Sequence, residues 1–274
     1  MPHGWDDAPQ QVRAQVSSFA ARSQEIFGDA LASLYLHGSL AMGCFNPRYS
    51  DVDLLVIASR APTPQQLDAF ARATLDVSGS PAPVDVSVVR ADDLEPFVHP
   101  MPYDFHFSED SRADIERACA SGSDGPPVDR SRDRDLAAHV AMSIARGVAL
   151  AGSDLRALTT GVPIADWIDA IVSDVDEVRG VRRGADPVYA VLNCCRAFRF
   201  LLDTMMSSKL EGGTWAIDVV PAEHVPTVRR VVDACAGDRS SVVWDAEIDA
   251  CVDWIAERID QIVAARGFSS ARSR

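Results

Sequence analysis

The sequence predicts an α+β fold, in which a small mixed sheet with covering helices is followed by an all-α helical bundle. Strand-like runs lie only within residues 31–90, and helical periodicity dominates after residue 133. The chain has 274 residues, enough for two domains of roughly 100–200 residues each. We therefore expect a mixed-sheet domain over residues 1–157 and an α-helical domain over residues 158–274.

The elements of the first domain follow from local patterns. Apolar residues at helical spacing predict a helix over 10–27, and Thr63-Pro64 is a cap and first-turn signal for a helix over 63–77. Alternating or apolar runs predict the strands, at 31–37, 51–58 and 84–90. After an aromatic-rich loop over 95–110, the pattern becomes helical, with helices expected at 133–150, 164–178, 187–206, 221–236 and 245–266.

Composition limits the classes of partner. The chain has 26 basic and 40 acidic residues, a net charge of −14, which argues against a nucleic-acid partner and favours a cationic small molecule. Its 47% of hydrophobic residues exclude wholesale disorder. No uninterrupted apolar run approaches the length of a membrane span, so no membrane partner is expected. Six cysteines without metal-site spacing argue against zinc and, with no secretory signal, predict a reducing cytoplasm. A monomer is expected, although no pattern in the sequence reports the oligomeric state.

The most informative segment joins two predicted strands. Gly38-Ser39 ends the first strand, and Asp51-Val52-Asp53 opens the next after eleven intervening residues. Strand alternation places Asp51 and Asp53 on one face, where paired carboxylates can bind one or two Mg²⁺ ions. The turn at Gly38 and Ser39 exposes backbone N–H groups that can cradle a triphosphate.

A third carboxylate completes a two-metal arrangement. Asp85 lies between two valines on the strand over 84–90 and is the candidate for that position. A D-x-D pair alone is more often a strand start with solvated acids, and an acid on an edge strand is common. The combination of Gly38-Ser39, Asp51, Asp53 and Asp85 reverses that interpretation and favours nucleotide chemistry.

These residues resemble the nucleotidyltransferase superfamily typified by DNA polymerase beta. The chain also resembles aminoglycoside adenylyltransferases of the spectinomycin and streptomycin type, through segments that occur in the same order: V-D-V-S-V-V at 84–89, F-H-F-S-E-D at 105–110, D-L-A-A-H-V at 135–140, G-V-A-L-A-G at 147–152, V-L-N-C-C-R at 191–196 and S-K-L-E-G-G-T-W-A at 208–216. In that family a nucleotidyltransferase domain precedes a helical domain that closes over nucleotide and substrate.

The resemblance implies roles for individual residues. Asp51 and Asp53 match metal ligands, and Asp85 matches the carboxylate that acts as base toward the substrate hydroxyl. Ser39 and Ser50 match residues that contact the nucleotide phosphates. Arg196 and Lys209 match basic residues that reach ATP, and Asp186 matches an acid that faces the aminoglycoside. Lys209 is the only lysine among the 26 basic residues, which supports its match independently.

Two positions depart from the family pattern. The base is usually Glu, one methylene longer than Asp85, and streptomycin-modifying relatives carry Trp at the position of Asp110. Spectinomycin is therefore favoured over streptomycin as the acceptor. Glu109 and Asp110 lie in a loop where they can hold a substrate amine, although a solvated loop is an equal alternative.

The sequence thus predicts an ATP- and Mg²⁺-dependent enzyme that transfers AMP to a hydroxyl of an aminoglycoside or aminocyclitol and so causes antibiotic resistance. Two alternatives stay open. One is a nucleotidyltransferase that modifies another small molecule or a macromolecule, as in toxin–antitoxin systems. The other is a homologue that binds nucleotide without turnover.

Overall fold

The computed structural model describes residues 2–121 and 130–268, which fall into two compact units. One unit extends from Pro2 to Pro163, and the other begins at Ile164. The boundary expected from the sequence, between residues 157 and 158, lies a few residues earlier in the same connecting segment. No helix within the described ranges is long and apolar enough to cross a membrane.

A five-stranded mixed sheet forms the centre of the first unit, with strand order β5-β3-β2-β1-β7. β2 pairs parallel with β3, whereas β1 pairs antiparallel with β2 and β7, and β5 pairs antiparallel with β3. The elements in chain order are α1 (Gln10–Phe27), β1 (Leu31–Leu36), α2 (Gly38–Ala41), β2 (Val52–Ala58), α3 (Pro64–Val77), β3 (Val84–Arg90), β4 (Met101–Pro102), β5 (Phe105–Phe107), α4 (Arg112–Ala120), β6 (Arg132–Asp133), α5 (Leu136–Arg146) and β7 (Val148–Gly152).

Apolar burial on both faces explains why β2 and β3 occupy the interior of the sheet. Side chains of α1 and α3 pack on one face of the sheet around Phe19, Phe27 and Phe70, which are almost completely buried. Leu136 and Val140 of α5 cover the other face. α3 is the crossover between the parallel strands, and it begins as predicted behind Thr63, whose hydroxyl accepts a hydrogen bond from the Gln66 backbone in a capping box.

Two expectations for the first unit are wrong, and one helix was not predicted. The helix expected over 133–150 ends at Arg146, and the residues after Gly147 form the edge strand β7, so strands do occur after residue 133. The expected loop over 95–110 contains β4 and β5, and β5 forms the opposite edge of the sheet. α4 directly after that segment was not predicted.

The second unit is all-helical, as the sequence predicts. Its helices are α6 (Ile164–Val181), α7 (Pro187–Asp203), α8 (Lys209–Ala216), α9 (Val225–Ala236) and α10 (Ala246–Ala265). The central helix, α7, packs against all four others, and its Cys194 and Cys195 are completely buried. The short helix α8 was not predicted, and the predicted helices over 187–206 and 221–236 extend beyond the observed ends of α7 and α9.

Candidate active site

Two of the three predicted carboxylates are direct neighbours across the parallel strand pair. Asp53 of β2 and Asp85 of β3 occupy the same register position, so their side chains leave the same face of the sheet. Asp51 lies just before β2 and is exposed, and its charge raises the pKa of Asp85. β3 is an interior strand, paired on both sides, so Asp85 is not an edge-strand acid. The structure therefore groups Asp51, Asp53 and Asp85 at one end of the parallel pair.

Gly38 lies directly against the carboxylate of Asp53. Its φ of +63° is in the left-handed region, and a Cβ on this residue would overlap the Asp53 side chain. The neighbouring backbone N–H of His37 donates to the Asp53 carbonyl oxygen at 3.0 Å. Glycine is therefore required at this position both for the turn and for the close approach to the acid.

The two predicted phosphate contacts differ in their surroundings. The Ser39 hydroxyl is buried and has no hydrogen-bond partner among the described residues. In contrast, the Ser50 hydroxyl accepts a hydrogen bond from the Asn46 backbone N–H at 3.0 Å and is buried within the turn before Asp51. Ser50 thus stabilises the loop that carries Asp51, and Ser39 offers an unused hydroxyl beside Gly38.

A histidine pair lies next to the carboxylates. His139 of α5 forms an ion pair with Asp135, with Nε2 3.0 Å from the carboxylate oxygen, and its ring contacts that of His37 with centroids 4.7 Å apart. Burial lowers the pKa of His139, but attraction and hydrogen bonding to Asp135 outweigh burial, with smaller contributions from Asp85 and Asp53, and raise this pKa to about 10. Burial, followed by the His139 charge, lowers the pKa of His37 well below its usual value.

Asp85 experiences opposing influences. Burial raises the pKa of its carboxyl, and repulsion from Asp51 and Asp135 adds to that effect, whereas His139 and His106 act in the opposite direction. His106 lies on β5 opposite Ser87, with its Nδ1 3.0 Å from the Ser87 hydroxyl oxygen. Neither His106 nor His139 is predicted as a site residue from the sequence. For His139, the i,i+4 spacing from Asp135 on a helix was the available signal.

The donor set is compatible with Mg²⁺ but does not form a cage. Within residues 2–121 and 130–268 no group of three or more His, Cys, Asp or Glu side chains could hold a metal ion. Mg²⁺ is commonly bound by one or two carboxylates together with substrate phosphates and water, rather than by protein groups alone. Carboxylate oxygens are among the hard ligands that this ion prefers. Asp51 and Asp53, beside the unused Ser39 hydroxyl, fit that mode of binding.

Glu109 is engaged by its own neighbours. Both of its carboxylate oxygens accept hydrogen bonds from Arg112, at 2.7 and 3.0 Å, and one also accepts from the Ser78 hydroxyl. The hydrogen bonds from Arg112 lower the pKa of Glu109, against the effect of burial. Asp110 is exposed in the same 3₁₀ turn. The contacts of Glu109 stabilise the start of α4, and a substrate contact by either acid stays a prediction.

In the helical unit, Asp186 is an N-terminal cap. Its Oδ1 accepts hydrogen bonds from the backbone N–H groups of Val188 and Tyr189, at 2.7 and 3.3 Å, at the start of α7. Its other oxygen lies 3.9 Å from Arg239. The side chain is 44% exposed, so these contacts leave room for a role in substrate binding, which stays a prediction.

Arg196 and Lys209 belong to one polar cluster. The Arg196 guanidinium donates from Nη2 to Asp174 at 3.2 Å and to the Asn193 side chain at 2.6 Å. The Lys209 ammonium lies 4.2 Å from the centre of the Tyr189 ring, and the Tyr189 hydroxyl donates to Asp174. The structure thereby brings together the two predicted nucleotide-binding cations, and it adds Asp174, Tyr189 and Asn193, which the sequence analysis did not identify.

The Gly-Gly pair of the S-K-L-E-G-G motif explains how α8 carries Lys209 so close to α7. A Cβ on Gly212 would lie 2.7 Å from the Arg196 Cα, and a Cβ on Gly213 would overlap Leu192. Ser208 caps α8 by accepting from the Glu211 backbone, while the Glu211 carboxylate accepts from the Ser208 backbone. The motif is therefore a helix start followed by a close helix–helix contact at Arg196.

The fold and this arrangement of residues are those expected of a nucleotidyltransferase. A family model described as nucleotidyltransferase domain matches residues 16–113, and a model described as aminoglycoside adenylyltransferase, C-terminal domain, matches residues 157–258. The chain therefore carries a region similar to each of these two domains in this order, and it is an enzyme of the nucleotidyltransferase type.

Curated relatives and a solved structure agree with this assignment. The chain is 26% identical over 209 residues to spectinomycin 9-adenylyltransferase of Staphylococcus aureus, covering 74% of this chain and 76% of the relative. It is 24% identical over 261 residues to aminoglycoside (3'') (9) adenylyltransferase of Shigella flexneri, covering 92% of this chain and 97% of the relative. A crystal structure of spectinomycin adenyltransferase AAD(9) from Enterococcus faecialis with ATP and spectinomycin has the same fold, with a TM-score of 0.75 at 18% identity over 90% of this chain and 99% of that one.

Proposed function

We propose that this enzyme transfers AMP from ATP to a hydroxyl of spectinomycin or a closely related aminocyclitol, and thereby inactivates the antibiotic. The observation that carries the proposal is the parallel register of Asp53 and Asp85 beside Gly38. It sets a candidate base next to a candidate metal ligand and a turn suited to phosphate. The names of the relatives support the choice of acceptor.

The residues divide the work in a defined way. Asp85 accepts the proton of the acceptor hydroxyl while the hydroxyl oxygen forms a bond to the α-phosphorus of ATP. The bond between the α-phosphorus and the pyrophosphate oxygen breaks, and pyrophosphate leaves. Asp51 and Asp53 would hold Mg²⁺, which neutralises phosphate charge and aligns the displacement when bound. Arg196 and Lys209 stabilise charge on the departing pyrophosphate, and Gly38, Ser39 and Ser50 orient the phosphates.

Acceptor specificity follows from the acidic residues. We assign Asp186 and the loop at Glu109 and Asp110 to the ammonium groups of the acceptor, and the net charge of −14 favours such a ligand. Spectinomycin is favoured over streptomycin because Asp110 replaces the Trp of streptomycin-modifying relatives. We expect the enzyme to act as a monomer in the cytoplasm.

The test is pyrophosphate release from ATP and Mg²⁺ with spectinomycin, streptomycin and other aminoglycosides, together with the mass of the modified drug. We expect release with spectinomycin and a product heavier by one AMP unit. Chelation of the metal, or Asp53→Asn, reduces the rate by at least about 100-fold. Asp76→Asn, a change at an exposed acid of α3 that is paired with Arg22, is the matched control and leaves the rate unchanged. Transfer of label from ATP to a protein or RNA, with no release on any drug, would refute the proposal.

A further inference from the structure

A largely buried carboxylate organises the polar cluster of the helical unit. Asp174 of α6 has a side chain only 15% exposed, and it accepts three hydrogen bonds from α7. The donors are the Tyr189 hydroxyl at 3.1 Å, the Asn193 amide at 2.7 Å and Arg196 Nη2 at 3.2 Å. An acid that loses this much hydration is stable only when such donors replace the water.

The three donors come from one stripe of α7. Tyr189, Asn193 and Arg196 are spaced at i, i+4 and i+7, which places them on the same face of a helix. Asn193 is almost completely buried, and its side-chain oxygen accepts from the same Arg196 nitrogen that donates to Asp174. The Arg196 guanidinium is therefore held by Asp174 and by the Asn193 amide, which Asp174 orients in turn.

The cluster also includes Lys209. Its ammonium lies 4.2 Å from the centre of the Tyr189 ring, and the hydroxyl of that ring is held by Asp174. Because Gly212 lets α8 approach the backbone of Arg196 closely, the helix that begins with Lys209 is fixed against the helix that carries Arg196. One carboxylate thus fixes both cations, Arg196 directly and Lys209 through an aromatic ring.

We propose that Asp174 is a positioning residue for the nucleotide, which holds Arg196 and Lys209 in the arrangement that receives the phosphates of ATP. The inference rests on the proposed function, because that function assigns both cations to ATP. Long basic side chains lose rotamer freedom when they bind phosphate, and a side chain already held in place loses less. Asp174 therefore increases the affinity for ATP although it does not touch the nucleotide.

Nucleotide binding tests this role without any acceptor. The dissociation constant of a non-hydrolysable ATP analogue with Mg²⁺ is measured on the full chain and on Asp174→Asn, which preserves the size of the side chain. We expect the constant to rise about tenfold, within the range for coupled neighbours. The matched control is Asp176→Asn, two residues further along α6, where the carboxylate is paired with Arg179, and it leaves the constant unchanged. An unchanged constant in a folded Asp174→Asn protein would overturn the inference.

A double-mutant cycle separates positioning from general destabilisation. In an Arg196→Ala background, Asp174→Asn should raise the dissociation constant by clearly less than it does in the wild type, because one of the two cations that it positions is absent. Additive effects of the two substitutions would overturn the inference. If Asp174→Asn does not fold, Tyr189→Phe takes its place, since it removes one donor and retains the ring under Lys209. We expect Tyr189→Phe to raise the dissociation constant of the ATP analogue as well, by less than Asp174→Asn. An unchanged constant would count against the proposal.

The two proposals fail in different ways. A wild-type chain that binds the analogue but adenylylates no aminocyclitol would refute the proposed function, and the comparison of Asp174→Asn with Asp176→Asn would still decide the role of Asp174. Turnover with spectinomycin, together with equal ATP affinities in wild type and Asp174→Asn, would refute the positioning role alone. A wild-type chain that binds neither ATP nor its analogue would overturn both.

Discussion

At the residue scale, the environment of Asp85 is unfavourable for a charge and favourable for a base. Burial raises the pKa of its carboxyl, repulsion from Asp51 adds to this, and His139 and His106 limit the rise. A raised pKa makes a carboxylate a better proton acceptor near neutral pH, provided that it stays ionised. The nearby His139 cation, whose pKa is raised to about 10, helps to keep Asp85 in that form.

We expect Asp85→Asn to reduce kcat/KM by at least about 100-fold and to raise the melting temperature of the ligand-free protein at pH 7. The pKa of Asp85 is raised in the folded protein, so the folded state binds this proton more tightly than the unfolded state. Stability is therefore lost as pH rises through the folded pKa, and an amide removes that loss. Kinetics and thermal unfolding with and without the substitution check both expectations.

Its control is Asp92→Asn, at an exposed acid just after the other end of β3, which should leave both quantities unchanged. The acid limb of the wild-type kcat/KM profile should report a pKa above the ordinary 3.8 of Asp. A variant that is inactive but less stable than wild type at pH 7 would contradict this account of Asp85.

At the element scale, the structure explains how the short helix α8 places Lys209 against the helix that carries Arg196. α8 has only eight residues, and its two adjacent glycines lie against Arg196 and Leu192 of α7. Without a Cβ at Gly212, the backbones of the two helices come into direct contact. Glycine lowers the stability of a helix, and it occurs here because a larger residue would prevent the close approach of α8 to α7.

We expect Gly212→Ala to destabilise the protein by about 1–3 kcal/mol, because a Cβ would meet the Arg196 backbone at 2.7 Å. Gly180→Ala is the matched control, a glycine of α6 whose Cβ would have no neighbour within 4 Å, and it should stabilise by roughly 0.5 kcal/mol through helix propensity. Urea unfolding of both variants measures the two changes in the free energy of unfolding, which we expect to have opposite signs. Equal effects would show that helix propensity, not contact with α7, sets the result.

The sequence predicted the long elements and the local motif, because these depend on nearby residues. The helix over 10–27, the helices of the second unit and the strands that present Asp53 and Asp85 follow from periodicity. β5 and β7 were missed because they are short edge strands of three and five residues, which form only where β3 and β1 offer a partner. Asp174 was missed because its significance lies in contacts between α6 and α7, which no spacing along the chain reveals.

At the scale of the whole molecule, charge is the dominant feature. The net charge of −14 produces a negative potential that attracts a cationic acceptor and repels competing anions. Nucleotide phosphates need locally placed cations to overcome this potential, and in the proposed function Arg196 and the single lysine, Lys209, are those cations. Under the two proposals, the same acidic field favours the cationic acceptor, and the polar cluster around Asp174 counteracts that field at the nucleotide.

Salt should weaken the binding of spectinomycin by reducing this attraction. Because the Debye length shortens to about 10 Å at 0.1 M salt, we expect the dissociation constant of spectinomycin to rise about threefold or more between low salt and roughly 0.2 M. Calorimetric titration across a series of NaCl concentrations measures the change, and a neutral osmolyte at matched osmolality is the control that should have no effect. A constant that is independent of salt would mean that short-range contacts alone capture the acceptor, and that the net charge of the chain serves another purpose.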